Sequence, residues 1–259
     1  MDATYWTRQT TNRPAFPDIL WSQPENKRYA GKLLVVGGDG HTFSEVSSAY
    51  NAALKAGVGH ARLLFPHSFE KLLGKTLPEA EFAPSTISGG FSRESLSSLL
   101  DAASWADGVL LAGNFGKNSE TAILLESFID RYKGQLALCG DSLDYFLNKS
   151  GALINRPNTV LAGTFGQLQK LFVSQTILKH SMDLAQVVSH LHDLTLAASI
   201  TTHYAGQAII LNSHCISTTP IQDADLTQLA AYASVWCLQQ PSTPFESLSA
   251  SIFEYVAQA

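Results

Sequence analysis

What this sequence has little of narrows its function first. Its 259 residues include only three cysteines, Cys139, Cys215 and Cys237, far apart and with no C-x-x-C pair. That argues against a disulfide framework or a structural zinc and fits a reducing compartment. Lys and Arg number 17 against 22 acidic residues, for a formal charge of -5, and no basic cluster is present. A nucleic-acid partner needs a Lys/Arg stripe to neutralise phosphates, so none is expected. No run approaches the ~20 apolar residues that span a bilayer. Met1 to Pro14 carries Asp2, Arg8 and Arg13 around no apolar core, so no signal peptide is predicted, and a cytoplasmic protein without a membrane partner is expected. Also missing are a G-x-S-x-G elbow and a P-loop with its Lys. His190 and His192 lie two apart in a helical stretch and face different sides, which makes them a poor metal pair, so no metal site is predicted.

What is present is 45% hydrophobic and 15% charged, suited to one sizeable α/β domain. Residues 1–30 carry Pro14, Pro17 and Pro24 among Tyr5, Trp6, Phe16, Trp21 and Tyr29. The prolines forbid a helix and the aromatics need cover, so this segment is expected to be an extended arm packed on the domain, residues 31–259, or on a neighbouring subunit.

From Leu33 onward, apolar strand-like runs alternate with helical periodicity. Strands are predicted at Leu33–Val36, His60–Phe65, Gly108–Ala112, Leu136–Leu138 and Thr159–Leu161. Helices are predicted from Ser44, from Ser92 through Ala103, from Asn118 or Ser119, over 166–173 and over roughly 184–204. Gln207–Leu211 and His214–Ser217, split by Asn212-Ser213, read as a β-hairpin. Helices at about 225–239 and 244–257 close the chain. The fold class that follows is α/β: a mostly parallel, doubly wound sheet with helices on both faces and a late hairpin.

In such sheets, ligands bind outside the carboxyl ends of the strands. The first loop there, inside Gly31-Lys-Leu-Leu-Val-Val-Gly-Gly-Asp-Gly-His41, offers Gly37, Gly38, Asp39, Gly40 and His41. A strand, a glycine loop and a helix in that order can hold an anion on backbone N–H groups. The second loop offers Gly113, Asn114, Phe115 and Gly116, the third Asp141, and the fourth Gly163, Thr164, Gly166 and Gln167. Two readings stand for each loop. Its glycines serve a tight turn, with Asp39 and Asp141 as helix-end caps, or they let backbone approach a nucleotide or dinucleotide.

Read in order, these loops resemble the ribokinase-like family of ATP- or ADP-dependent NAD(P)H-hydrate dehydratases. Gly31–Gly59 resembles that family's first strand, glycine loop and "A-G-x-G" helix end, and Leu77-Pro78-Glu79 its "P-E" segment. Trp105 to Thr121 resembles "A-D-x-x-x-x-G-x-G-x-G-x-x-x-E-T". Leu138-Cys-Gly-Asp-Ser-Leu143 resembles "L-D-A-D-A-L", with Asp141 on the second acid, and Pro244-Phe-Glu-Ser resembles "P-F-E-A". The resemblance implies a ribokinase-like fold, ATP or ADP with Mg2+ as cofactors, NAD(P)H or its hydrate as ligand, and a homo-oligomer.

Departures fall on the positions that do chemistry in that family. Its "T-P-H-P-G-E" is here Ala162-Gly-Thr-Phe-Gly-Gln167, without the His and Glu, and Cys139 replaces the first acid of "D-A-D". Its "G-S-G-D" loop, an anion hole plus the catalytic Asp, has no direct counterpart. Thr218-Thr-Pro-Ile-Gln-Asp-Ala-Asp-Leu226 holds no glycine, and Asp223 or Asp225 reaches the place of the Asp only by a shift of register. A positioned general base is worth roughly 10²–10⁴ in rate, and one anion-hole donor roughly 10²–10³. The expectation is therefore a divergent member that keeps a nucleotide-type cleft with weak or no turnover. An active dehydratase, a lyase, and a small-molecule kinase of the broader group stand as alternatives.

Overall fold

The computed structural model describes residues 4–40 and 42–258, so the expectation placed on His41 lies outside the described residues. A ten-stranded sheet organises the chain. Its strands in chain order are β1 (Trp6–Arg8), β2 (Lys32–Val36), β3 (His60–Pro66), β4 (Ala80–Ala83), β5 (Gly108–Leu111), β6 (Gln135–Cys139), β7 (Thr159–Ala162), β8 (Ser199–Tyr204), β9 (Gln207–Asn212) and β10 (Cys215–Pro220). Across the sheet they run β1-β10-β9-β8-β7-β6-β5-β2-β3-β4. From β4 to β8 every pairing is parallel, and β9 is antiparallel to both β8 and β10.

The parallel strands are buried on both faces, as continuous apolar runs such as Leu33–Val36 and Val109–Leu111 require. One face packs against the helices Leu96–Trp105, Ser119–Arg131 and Leu184–His192. The other packs against Ser44–Lys55, Leu226–Gln239 and Pro244–Gln258. Leu226–Gln239 is buried from Leu229 to Cys237 without a solvent stripe, because it lies between the sheet and its two neighbouring helices. Among the described residues, no helix is long and apolar enough to cross a membrane.

Two local expectations are corrected. The helix expected over 184–204 ends at His192, and Ser199–Tyr204 is strand β8. Ser-Ile-Thr-Thr-His-Tyr is rich in β-branched and aromatic side chains, and β8 is paired on both sides, which decides the conformation. The hairpin turn falls one residue later than expected, at Ser213 and His214, both left-handed with φ of 47° and 67°. Paired left-handed residues match the twist of a two-residue hairpin.

Residues 4–30 are tied to the core over much of their length. β1 pairs parallel to β10, and the Gln9 amide, buried, donates to Thr219 Oγ1 at 2.6 Å and to the Ser249 carbonyl at 2.7 Å. Pro17 does not prevent a helix here. It occupies the first turn of Pro17–Trp21, where its missing N–H has no intrahelical partner to lose. Trp21 and Tyr29 remain exposed.

Candidate functional site

Chain order sets where a crevice opens. β2 leads outward to β3 and β4, and the chain then returns to place β5 on the other side of β2. The loops after β2 and β5 therefore flank the point where the winding reverses, the usual ligand position in doubly wound sheets. The loops after β6 and β7 follow in the same row.

The first two loops are bound together. The Gly38 N–H donates to the Asn114 carbonyl at 2.9 Å, and Asn114 Oδ1 accepts the Gly116 N–H at 3.2 Å. Asp39 is 8% exposed, and its Oδ1 accepts the Thr42 N–H at 3.1 Å. A side chain placed on Gly116 would meet Asp39 at 3.5 Å, so these two predicted residues face each other.

The glycines of this crest leave room mainly for protein. A Cβ on Gly37 would stand 2.1 Å from the Ala112 carbonyl oxygen, so only glycine lets β2 and β5 end so close together. Gly113 is left-handed at φ 81°, and a Cβ there would meet Glu45 Cβ at 2.5 Å and Oε2 at 2.6 Å. Gly140 presents its backbone to the same carboxylate, which would lie 3.2 Å from a Cβ at that position. Glu45, in the first turn of Ser44–Lys55, thus lies over the second and third loops. Its carboxyl is pushed above the ordinary range, first by desolvation and then by the negative charges of Asp141, Asp225 and Asp39. Sequence reasoning missed Glu45. An acid just inside the helix that follows a glycine loop was the available signal.

Asp225 caps the buried helix Leu226–Gln239. Oδ1 accepts the Thr227 and Gln228 N–H groups at 2.9 and 3.3 Å, while Oδ2 accepts from Gln228 Nε2 at 3.1 Å and from the Ser48 hydroxyl at 3.4 Å. Asp223 lies two residues earlier, exposed, outside this capping arrangement. In the fourth loop, Thr164 and Gln167 form a capping box on Phe165–Leu171. The Gln167 side chain also donates to the Gly140 carbonyl at 3.1 Å and to Asp144 Oδ1 at 2.8 Å, joining loops three and four. A side chain on Gly166 would meet no heavy atom within 4 Å, so that backbone faces open space.

The space left beside these loops is a cleft of about 440 Å³ lined by Gly116, Lys117, Asn118, Ser119, Asp141, Asp144, Tyr145, Leu147 and Lys170. Asn118 caps the 13-residue helix Ser119–Arg131 through Thr121 N–H at 2.8 Å. Lys117 and Lys170 bring positive charge and Asp141 and Asp144 negative charge to one wall system. Neither lysine was singled out from the sequence, because each is one exposed cation among many until the fold sets them on a common cleft. Among the described residues, no group of three or more His, Cys, Asp or Glu side chains is placed to hold a metal ion.

No family model matches the sequence, and no curated protein matches it. Solved structures do match. A ribokinase-like superfamily protein of Enterococcus faecalis is 15% identical with a TM-score of 0.68, over 98% of this chain and 88% of that one. A hypothetical protein of Streptococcus mutans is 17% identical with a TM-score of 0.66, over 91% and 87% of the two chains. The ADP/ATP-dependent NAD(P)H-hydrate dehydratase of Bacillus subtilis, co-crystallized with ATP/Mg2+, is 11% identical with a TM-score of 0.55, over 88% and 79%. At such identities the likeness is one of backbone course, and with the strand order above it gives the conclusion that this chain has the ribokinase-like α/β fold.

Proposed function

We propose that this protein is a divergent relative of the NAD(P)H-hydrate dehydratases that binds a nucleotide or dinucleotide at the carboxyl end of the sheet and turns it over weakly or not at all. The observation that carries this reading is a cleft left open at this end of the sheet while Asp225 caps its own helix. Lys117, Lys170 and the amides at the start of Ser119–Arg131 suit a phosphate-bearing ligand. Both Asp225 oxygens are meanwhile held by capping and side-chain donors. Thr218 to Leu226 also contains no glycine to turn amides toward a transferring phosphoryl group.

The co-crystallisation of the Bacillus subtilis dehydratase with ATP/Mg2+ supports ATP or ADP as the first ligands to try. The donor set fits the phosphates better than it fits a resident metal. Mg2+ would come with the nucleotide, where it neutralises phosphate charge, and Asp141 on the cleft wall is the carboxylate to meet it.

The test pairs binding with turnover. Calorimetry with ATP, ADP and NADH measures affinity, and absorbance of regenerated NADH follows incubation with hydrated NADH and either nucleotide. Binding with little or no regeneration supports the proposal. Failure of all three ligands to bind overturns the ligand class. Robust regeneration that disappears in Asp225→Asn overturns the weak-turnover half and makes the protein an active lyase.

A further inference from the structure

A second cavity lies at the opposite end of the sheet. It encloses about 510 Å³ beneath the amino ends of β5 to β8, where β9 finishes and the helix Leu226–Gln239 gives out. Its origin is a change of residue type along one face. On the face covered by Leu226–Gln239, Cys139, Ala162, Thr201 and Ile210 lie side by side, mostly apolar and fully packed. One pleat toward the amino end, the same face shows Leu110, Ala137, Val160, Ser199 and Asn212. Polar Ser199 and Asn212 thus stand in a row with apolar neighbours, and Gln135 adds an amide one pleat beyond Ala137. The helix ends at Gln239, and Pro241 and Pro244 stiffen the chain that forms the far wall.

Several polar groups line this cavity. Gln135, one of them, is anchored by its Nε2, which donates to the Ser234 carbonyl at 2.8 Å. Asn212 Nδ2 donates to Ser199 Oγ at 2.7 Å, and both residues are buried, so this pair is satisfied without solvent. Asp107 stands exposed at the mouth, with Oδ2 accepting the Lys32 N–H at 2.9 Å. The last carbonyls of Leu226–Gln239 add the negative end of a helix dipole. Among the described residues no Lys or Arg lines the cavity. Arg156, behind Thr159, is occupied by Thr159 Oγ1 at 2.7 Å and by the Tyr132 and Gly134 carbonyls at 2.8 Å each. The Cys237 thiol in the wall is held up at about 12 by burial and is uncharged at neutral pH.

We infer that this cavity is a second small-molecule site, separate from the carboxyl-end cleft, for a compact organic cation with an apolar body, an amine or amidine. Its volume lies within the roughly 300–1,000 Å³ of ligand pockets. Its apolar walls, Val160, Leu238 and the two prolines, take the body, while Asp107 and the Gln135 carbonyl receive the donor head. The inference stands apart from the proposed nucleotide reading, since it shares no residue with that cleft.

Benzamidine, neutral benzamide and anionic benzoate, three ligands of nearly one shape, test it by calorimetry on the full chain. Benzamidine should bind best and benzoate not at all. Asp107→Asn, which keeps an acceptor for the Lys32 N–H, should weaken benzamidine roughly five- to tenfold. Ala197→Trp at the exposed rim should abolish binding by plugging the mouth, with thermal unfolding as the check that the fold is intact. Excess ATP should leave benzamidine affinity unchanged. Absence of benzamidine binding, equal binding of benzoate, indifference to both substitutions, or competition by ATP would each overturn the inference.

Discussion

The two ends of the sheet solve opposite problems with the same strands. At the carboxyl end, Glu45 lies over glycine loops, and its carboxyl is raised first by burial and then by the charges of Asp141, Asp225 and Asp39. At the amino end, amides and a serine pair off neutrally around an unfilled space. Charge is thus gathered where loops are held rigid by close approach, and avoided where buried polar groups must satisfy one another. The difference teaches that the acids at the crest are held there by packing, and their chemistry follows from what packs on them.

The largest break in this comparison should come from Gly113→Val. A side chain there must displace Glu45 from 2.5 Å and hold φ near 81°, so a loss of about 3 kcal/mol or more is expected in chemical denaturation. Adding Glu45→Gly should recover part of it by removing both the Cβ and the carboxylate from that space. Recovery separates crowding from backbone strain, which the second change leaves in place.

At the other end, Asn212→Ala removes the partner of buried Ser199 and should cost about 1–3 kcal/mol, read from the same denaturation curves. A loss under half a kilocalorie would mean that solvent enters the cavity and rescues the serine. Asp225→Ala removes a helix cap and should cost about 1 kcal/mol, with Asp225→Asn retaining most of it because Asn also caps well. Equal losses in both variants would show that the charge on the helix dipole matters more than the hydrogen bonds.

The smallest effect has a defined sign. Glu45 holds its proton more tightly folded than unfolded, so the folded state binds more protons between the unfolded value of 4.5 and the raised one. Stability therefore falls as pH rises through that window, and the loss is complete above the raised value. Glu45→Gln should remove this slope. The variant should equal or exceed the parent in unfolding free energy at pH 7, by no more than about 0.5 kcal/mol at this solvated site, with the advantage gone well below the unfolded value. A variant that loses stability at pH 7 would mean that the ionised carboxylate makes favourable contacts outweighing the repulsion.

Much of the architecture is legible along the chain because its signals are local. The run Leu33–Val36 stops at glycines and a helix follows, Asn118 precedes its helix as a cap, and the hairpin shows its turn within a residue. The strand Ser199–Tyr204 was lost because a stretch flanked by helical pattern becomes a strand only when β7 and β9 supply partners. At the site, Gly37, Gly38, Asp39, Gly113, Asn114, Gly116 and Asp141 are legible as strand-end loops. Glu45, Lys117 and Lys170 are not, since nothing in their neighbours along the chain tells which crevice they will meet.

The sequence by itself determined the alternation of strand and helix, the doubly wound class and the loops that face the carboxyl end, because periodicity, glycines and caps act over a few residues. Only the tertiary structure decided what those loops touch. The Gly113 vacancy filled by Glu45, the Ser48 hydroxyl brought onto the Asp225 carboxylate, and the cavity under Gln239 each join residues at least twenty positions apart or depend on where a helix stops against the sheet. Such contacts follow from the packing of whole elements, and packing is settled by volume and hydrogen-bond satisfaction across the domain rather than by any neighbouring residues.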